Sequence, residues 1–117
     1  FKVWNVDLII LAGYMRVIKD PDAFPAPIIN IHPSLLPKYK GLHAIEQAFN
    51  SDDDVTGCTV HYVNEELDGG EIILQSEVPI LPTDDLKSLT KAIQRREYHI
   101  LPRAIEHVKH KIQVKIN

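Results

Sequence analysis

Cysteine is nearly absent from this chain: Cys58 is the one thiol in 117 residues. A lone cysteine closes no internal disulfide, so a reducing compartment is expected, and the cytoplasm is the expected location. Long apolar runs are missing as well. The longest purely apolar stretch is Leu8-Ile9-Ile10-Leu11-Ala12, far short of the roughly 20 residues that a membrane helix needs. The start, Phe1-Lys2-Val3-Trp4, lacks the apolar core and small-residue cleavage site of a signal peptide. Charge of one sign is not in excess: 13 basic and 16 acidic residues give a net charge of −3, which leaves no basic footprint for nucleic acid. The five glycines do not cluster as G-x-G-x-x-G or as a Walker loop, so no phosphate cradle of those types is present. Repeats and low-complexity segments are lacking too.

What remains is the ordinary mix of a globular domain, 44% hydrophobic and 25% charged. A chain of this length holds one core and buries roughly two-thirds of its unfolded surface. The first residue is Phe1 rather than Met, which points to a chain processed, trimmed or cut from something longer.

Hydrophobic patterning predicts an α/β fold. Residues 6–12 read as a buried strand; from Leu8 onward both faces are apolar, as in a parallel sheet covered by helices. Pro21, Pro25 and Pro27 break any long helix between Met15 and Ile28. Residues 28–32 read as a second short strand, closed by Pro33, and residues 42–50 as a helix. Two β-rich segments, 56–63 and 71–78, suit an antiparallel hairpin with a long loop ending in Asp68-Gly69-Gly70. From Thr83 the pattern turns helical, with Thr83 as N-cap and Asp84 and Asp85 in the first turn. Leu86, Leu89, Ile93, Leu101, Ala104, Ile105 and Val108 form its apolar stripe. Pro102 is expected to kink or split that helix, and residues 112–116 alternate like a short edge strand.

The chemical candidates follow from that placement. Asn30 and His32 lie two apart on a strand, so they share one face. The strand ends at His32, and open α/β sheets bind ligands beyond the carboxyl ends of their strands. An amide donor beside an imidazole suits a carbonyl that becomes an oxyanion. Asp68 reads first as a turn former, although a carboxylate can also orient an imidazole. A serine hydrolase built on Ser34 is disfavoured, because the G-x-S-x-G elbow is absent. His107 and His110 share a helix face without a third ligand at a recognised spacing, so no metal is expected. Asp52-Asp53-Asp54 reads as a solvated loop, Lys38 and Lys40 as surface residues, and Cys58 as a buried inert thiol.

The segment Asn30-Ile31-His32-Pro33-Ser34-Leu35-Leu36-Pro37-Lys38-Tyr39-Lys40-Gly41 resembles the signature of the folate-dependent formyltransferases. Thr56-Gly57-Cys58-Thr59-Val60-His61-Tyr62-Val63, followed by Leu67-Asp68-Gly69-Gly70, and the earlier Ala12-Gly13-Tyr14-Met15-Arg16-Val17-Ile18 are similar to further motifs of that family in the same order. The wording is closest to the members that formylate the amine of phosphoribosylglycinamide in de novo purine biosynthesis. The resemblance implies a three-layer Rossmann-like fold with a mixed, largely parallel sheet. It also implies that residues 1–117 are the C-terminal, folate-binding and catalytic portion of a formyltransferase domain whose N-terminal strands are missing.

The same resemblance implies the roles of individual residues. Asn30, His32 and Asp68 match the catalytic trio. Met15, Arg16, Val17 and Ile18 match the segment that holds the pterin of 10-formyltetrahydrofolate, the formyl donor. Asn64, Glu65, Glu66 and Leu67, leading to Asp68, match the loop that closes over that ring. Glu97 matches a residue near the ribose of the acceptor. The implied reaction is direct attack of the acceptor amine on the formyl carbon, with no covalent enzyme intermediate. The Gly-rich phosphate turn of the family is not in this chain. The chain alone is therefore expected to bind folate and to serve the acceptor poorly. The expected partners are small-molecule substrates, with a homodimer or the missing N-terminal segment as protein partner; neither nucleic acid nor membrane is expected. The rival readings are a 10-formyltetrahydrofolate deformylase, in which water replaces the amine, and a truncated, non-catalytic folate-binding fragment. A tRNA-directed formyltransferase is disfavoured by the lack of a basic RNA-binding extension.

Overall fold

The computed structural model describes residues 9–12, 28–65 and 68–116, with side chains described for 28–65 and 68–109. Four strands form one sheet in the order β1-β2-β3-β4. β1 (Ile9–Ala12) runs parallel to β2 (Ile28–His32), with Ile9 opposite Ile28 and Ala12 opposite Ile31. β3 (Val55–Tyr62) lies antiparallel to β2, and β4 (Ile72–Pro79) antiparallel to β3. The expected hairpin between the two β-rich segments is therefore present. The expected predominance of parallel pairing is not seen among the described residues: one pairing is parallel and two are antiparallel. For β3 and β4 the antiparallel pairing needs only a short return of the chain, residues 63–71, whereas a parallel pairing would need a long crossover.

The strand at 28–32 has the bounds its sequence suggests. Ile28 to His32 are all buried, and Pro33 lacks the N–H that would continue the ladder. Alternation sorts its side chains. Ile29 and Ile31 join Cys58, Val60 and Val78 in the apolar core. Asn30 and His32 face the other way, opposite His61 and Thr59 of β3.

The core side is covered by α2 (Leu86–Ile116), whose Leu89, Ile93, Ile100, Ala104 and Val108 are buried in that cluster. Each of the leucine, isoleucine and valine side chains contributes roughly 1.5–3 kcal/mol when fully buried. Leu86, expected in the stripe, is 39% exposed, and Ile100 takes a place in the core instead. A short helix, α1 (Ala44–Phe49), packs against α2 and buries Ala44 and Ala48.

Two expectations about α2 are corrected and a third is narrowed. Its cap is Asp85, not Thr83. The Ser88 N–H donates to Asp85 Oδ1 at 2.7 Å, and the Asp85 N–H donates to Ser88 Oγ at 3.0 Å. This is a reciprocal capping box in which Ser88 stands where Glu or Gln is usual. Pro102 does not split the helix, which runs through it. Pro102 is exposed and the Tyr98 side chain one turn earlier is 80% exposed, so the carbonyl that loses its donor lies on the water side. Residues 112–116 continue the helix rather than forming a strand. A nucleated helix gains a hydrogen bond with each added residue, whereas a strand of that length needs a partner edge. No helix among the described residues is long and apolar enough to cross a membrane.

Candidate active site

The polar face of β2 and β3 carries a row of buried side chains. Asn30 is 4% exposed, His32 1%, Thr59 0% and His61 2%. The loop after β3 turns back over this face and brings Asp68, 5% exposed, onto it. Asp68 Oδ2 lies 3.4 Å from His32 Nδ1, and Oδ1 lies 3.6 Å from His61 Nε2. The return of the loop is tight: a Cβ at Gly70 would sit 1.6 Å from the Tyr62 carbonyl oxygen, so only glycine fits there. A register shift at Val60/His61 marks a bulge in the β3–β4 ladder beside the cluster.

The histidines are held in defined orientations. His32 Nε2 is 2.8 Å from the Tyr39 carbonyl oxygen, and a carbonyl only accepts, so Nε2 carries a proton. Nδ1 is then the ring atom left to exchange a proton with Asp68. His61 Nδ1 donates to its neighbour's carbonyl, Tyr62 O, at 2.9 Å. Burial holds the His61 imidazole below its usual range, against the opposing pull of that carbonyl and of Asp68. Its Nε2 is thus an acceptor facing a second acceptor, Asp68 Oδ1, and a single proton donor between the two satisfies both.

Two atoms on this face, Asn30 Oδ1 and His61 Nε2, are buried without a hydrogen-bond partner among the described residues. Native proteins rarely leave such groups unpaired, and functional sites are where they do. Asp68 also accepts from the Gly41 N–H at 2.8 Å, which ties the β3–β4 loop to the loop after β2. Asp68 (φ 52°) and Tyr39 (φ 56°) both lie in the left-handed region that non-glycine residues seldom adopt. Such strain collects at functional sites.

The loop after β2 is fastened from below. Thr59 Oγ1 donates to Ser34 O at 2.7 Å and accepts from Leu36 N–H at 3.2 Å and from Gln75 Nε2 at 3.0 Å. Ser34 Oγ donates to Lys38 O at 2.6 Å, so its hydroxyl is spent on loop structure rather than facing a histidine. A cleft of about 310 Å³ opens next to this loop, lined by Pro33, Gly41, Leu42, Ile45, Leu86 and Thr90.

The structure thus brings together Asn30, His32 and Asp68. Asn64 and Glu65 are exposed at the start of the loop that carries Asp68, with Asn64 Nδ2 donating to Gly69 O at 3.3 Å. Met15, Arg16, Val17, Ile18, Glu66 and Leu67 lie outside the described residues. Glu97 is not part of the cluster. It sits half-buried on α2, on the core side of the sheet, where its charge is felt at Cys58. Burial pushes the Glu97 carboxyl up from its usual value. Cys58 is fully buried, and burial pushes its thiol up to about 12. Sequence reasoning did not single out His61, Tyr39 or Thr59. A signal for two of them was present: Thr59 and His61 are two apart on a strand, facing one way, like Asn30 and His32.

Comparison with known proteins agrees with the motifs. A family model described as Formyl transferase matches residues 1–105. The chain is 48% identical over 103 residues to phosphoribosylglycinamide formyltransferase of Haemophilus influenzae, covering 86% of this chain and 49% of that protein. It is 51% identical over 106 residues to the trifunctional purine biosynthetic protein adenosine-3 of Drosophila melanogaster, covering 89% of this chain and 8% of that one. Among solved structures, phosphoribosylglycinamide formyltransferase from Bacillus halodurans superposes with a TM-score of 0.83 at 46% identity, covering 88% of this chain and 54% of that one. The chain spans about half the length of the single-function relatives it matches.

Proposed function

Because the chain belongs to the formyl transferase family, we propose that it carries the donor-binding and catalytic part of a phosphoribosylglycinamide formyltransferase. The reaction moves the formyl group of 10-formyltetrahydrofolate to the acceptor's amine, as in de novo purine biosynthesis. The observation that carries this reading is the buried contact between His32 and Asp68 on the face that Asn30 shares. The names of the relatives support it.

The two unpartnered atoms, Asn30 Oδ1 and His61 Nε2, fit a face completed by the polar groups of a substrate. When bound, the formyl donor supplies an electrophilic carbonyl carbon. The Asn30 amide is the hydrogen-bond donor for its oxygen, a contribution worth about 2.7–4 kcal/mol of barrier in comparable sites. His32 stabilises negative charge on that oxygen and exchanges a proton at Nδ1, because Nε2–H is committed to Tyr39. Asp68 holds the ring and takes the proton lost by the attacking amine, and an equivalent proton passes to the tetrahydrofolate nitrogen as its bond to the formyl carbon breaks. Met15, Arg16, Val17 and Ile18 hold the pterin, and Asn64, Glu65, Glu66 and Leu67 close over it. Glu97 is assigned the sugar of the acceptor on the resemblance alone; it lies on α2, outside the His32–Asp68 cluster. The cleft beside Pro33 and Gly41 gives the acceptor its approach. The fuller fold belongs to the same proposal: a three-layer Rossmann-like arrangement with a largely parallel sheet that continues beyond β1, supported by the parallel β1–β2 pairing.

The test is to supply the formyl donor with and without phosphoribosylglycinamide and to follow both products. Formylated acceptor is the expected product. Formate released at the same rate in either case would overturn the transferase reading in favour of a deformylase. Donor binding with neither product, at saturating acceptor, would leave only a folate-binding fragment.

A further inference from the structure

Asp53 lies in the acidic run after α1, in a stretch whose sequence reads as a solvated loop. Its carboxylate is nonetheless engaged on both oxygens. Tyr39 Oη donates to Asp53 Oδ2 at 2.7 Å, and Lys38 Nζ donates to Oδ1 and Oδ2 at 3.1 Å each. The Asp53 N–H in turn donates to Ser51 Oγ at 3.1 Å, which ties the carboxylate to the end of α1. The two residues it grips belong to the loop that holds His32. Tyr39 has φ 56°, a conformation that a bulky side chain keeps only when its surroundings over-determine it. Its carbonyl accepts the His32 Nε2–H at 2.8 Å. Two residues on, Gly41 (φ 82°) donates its N–H to Asp68 Oδ2, the oxygen that faces His32 Nδ1. One short loop therefore sets the partners of both ring nitrogens, and Asp53 is the group that pins its outer end.

We propose that Asp53 is a positioning residue for His32: by gripping Tyr39 and Lys38 it keeps the Tyr39 carbonyl on Nε2 and so reserves Nδ1 for proton exchange with Asp68. The Tyr39 hydroxyl first, and Lys38 second, hold the Asp53 carboxyl below its usual range, so the grip stays charged at neutral pH. The consequence for catalysis rests on the reading of His32 given above, whereas the consequence for the ring does not.

The test therefore reads the ring directly. The His32 imidazole is followed by ¹⁵N NMR in wild type, Tyr39→Phe, Asp53→Asn and Asp52→Asn. Asp52 is exposed in the same loop, so its variant removes one charge without the grip. Asp68 and His61, the charged and titratable groups that face His32, stay in every chain. Wild type and Asp52→Asn are expected to show a proton fixed on Nε2. Tyr39→Phe and Asp53→Asn are expected to show a mixture of tautomers, with kcat lowered about tenfold, the pH–rate profile displaced by about half a unit and the KM of the formyl donor unchanged. A fixed Nε2 proton in folded Tyr39→Phe, which removes one hydroxyl and leaves the ring in place, overturns the proposal whether or not Asp53→Asn folds. Tautomer mixing in a protein that transfers no formyl group would sink the catalytic reading and leave the positioning intact.

Discussion

Thr59→Val is the most informative single change to the scaffold beneath the site. Valine keeps the shape of threonine and removes its hydroxyl, so no cavity opens. In the structure that hydroxyl donates to Ser34 O and accepts from Leu36 N–H and Gln75 Nε2. Gln75 keeps a second acceptor, Leu36 O, at 2.9 Å. Ser34 O and Leu36 N–H have no such relief, and their residues are 0% and 5% exposed. A buried polar group left unpaired costs about 1–3 kcal/mol, so two of them give roughly 2–6 kcal/mol. That is a large share of the roughly 5–15 kcal/mol that holds a domain together. The assay is urea unfolding followed by circular dichroism, with the midpoint compared at constant slope. A second signature is loss of formyl transfer out of proportion to the unfolded fraction, because the loosened loop carries the Tyr39 carbonyl. A destabilisation below about 0.5 kcal/mol, the range of ordinary surface substitutions, would refute the reasoning that Thr59 fastens the loop.

Other expectations follow from the remaining geometry. Asn30→Ala should slow transfer by about 10²–10³-fold with donor binding retained, measured by single-turnover kinetics and fluorescence titration. Cys58, whose thiol burial raises from 9.0 to about 12, should resist alkylation in the folded chain at pH 8. Its neutral form favours the fold, so that part of the stability is full below pH 9 and is lost as pH rises toward 12, which alkaline melts will show. Glu97 has a folded value raised by burial, so its ionised form is disfavoured in the native state and stability falls as pH climbs above the usual 4.5. Glu97→Gln should therefore raise the melting temperature at pH 7 and leave it unchanged at pH 3, while raising the KM of the acceptor. His61 runs the other way: burial lowers its folded value, so stability present above pH 6.5 should be lost as pH falls below it. His61→Gln should flatten that limb of the stability profile.

Local signals read most reliably where they were punctuated. β2 kept its expected bounds because Pro33 ends the ladder and Ile29, Asn30, Ile31 and His32 alternate apolar and polar. The pairing of β3 with β4 was legible from the Asp68-Gly69-Gly70 turn, which the steric limit at Gly70 explains. The start of α2 was not, since Thr83, Asp84 and Asp85 are all good caps by residue type. Only the reciprocal bonds with Ser88 single out Asp85. The effect of Pro102 depends on which side of the helix meets water, a tertiary fact. Of the site, the trio Asn30, His32 and Asp68 was legible from motif and spacing. The Asp53 grip was hidden, because an aspartate among aspartates looks solvated until the fold brings Tyr39 and Lys38 against it.

The measurement that bears most directly on the His32–Asp68 pair is single-turnover formyl transfer by Asp68→Asn against wild type, with the bound formyl donor quantified in both. The variant keeps an oxygen for the Gly41 N–H and loses the charge that faces His32. A fall of about 100-fold or more, with donor affinity within about threefold of wild type, is the predicted result. Transfer within about threefold of wild type would contradict a catalytic role for the pair.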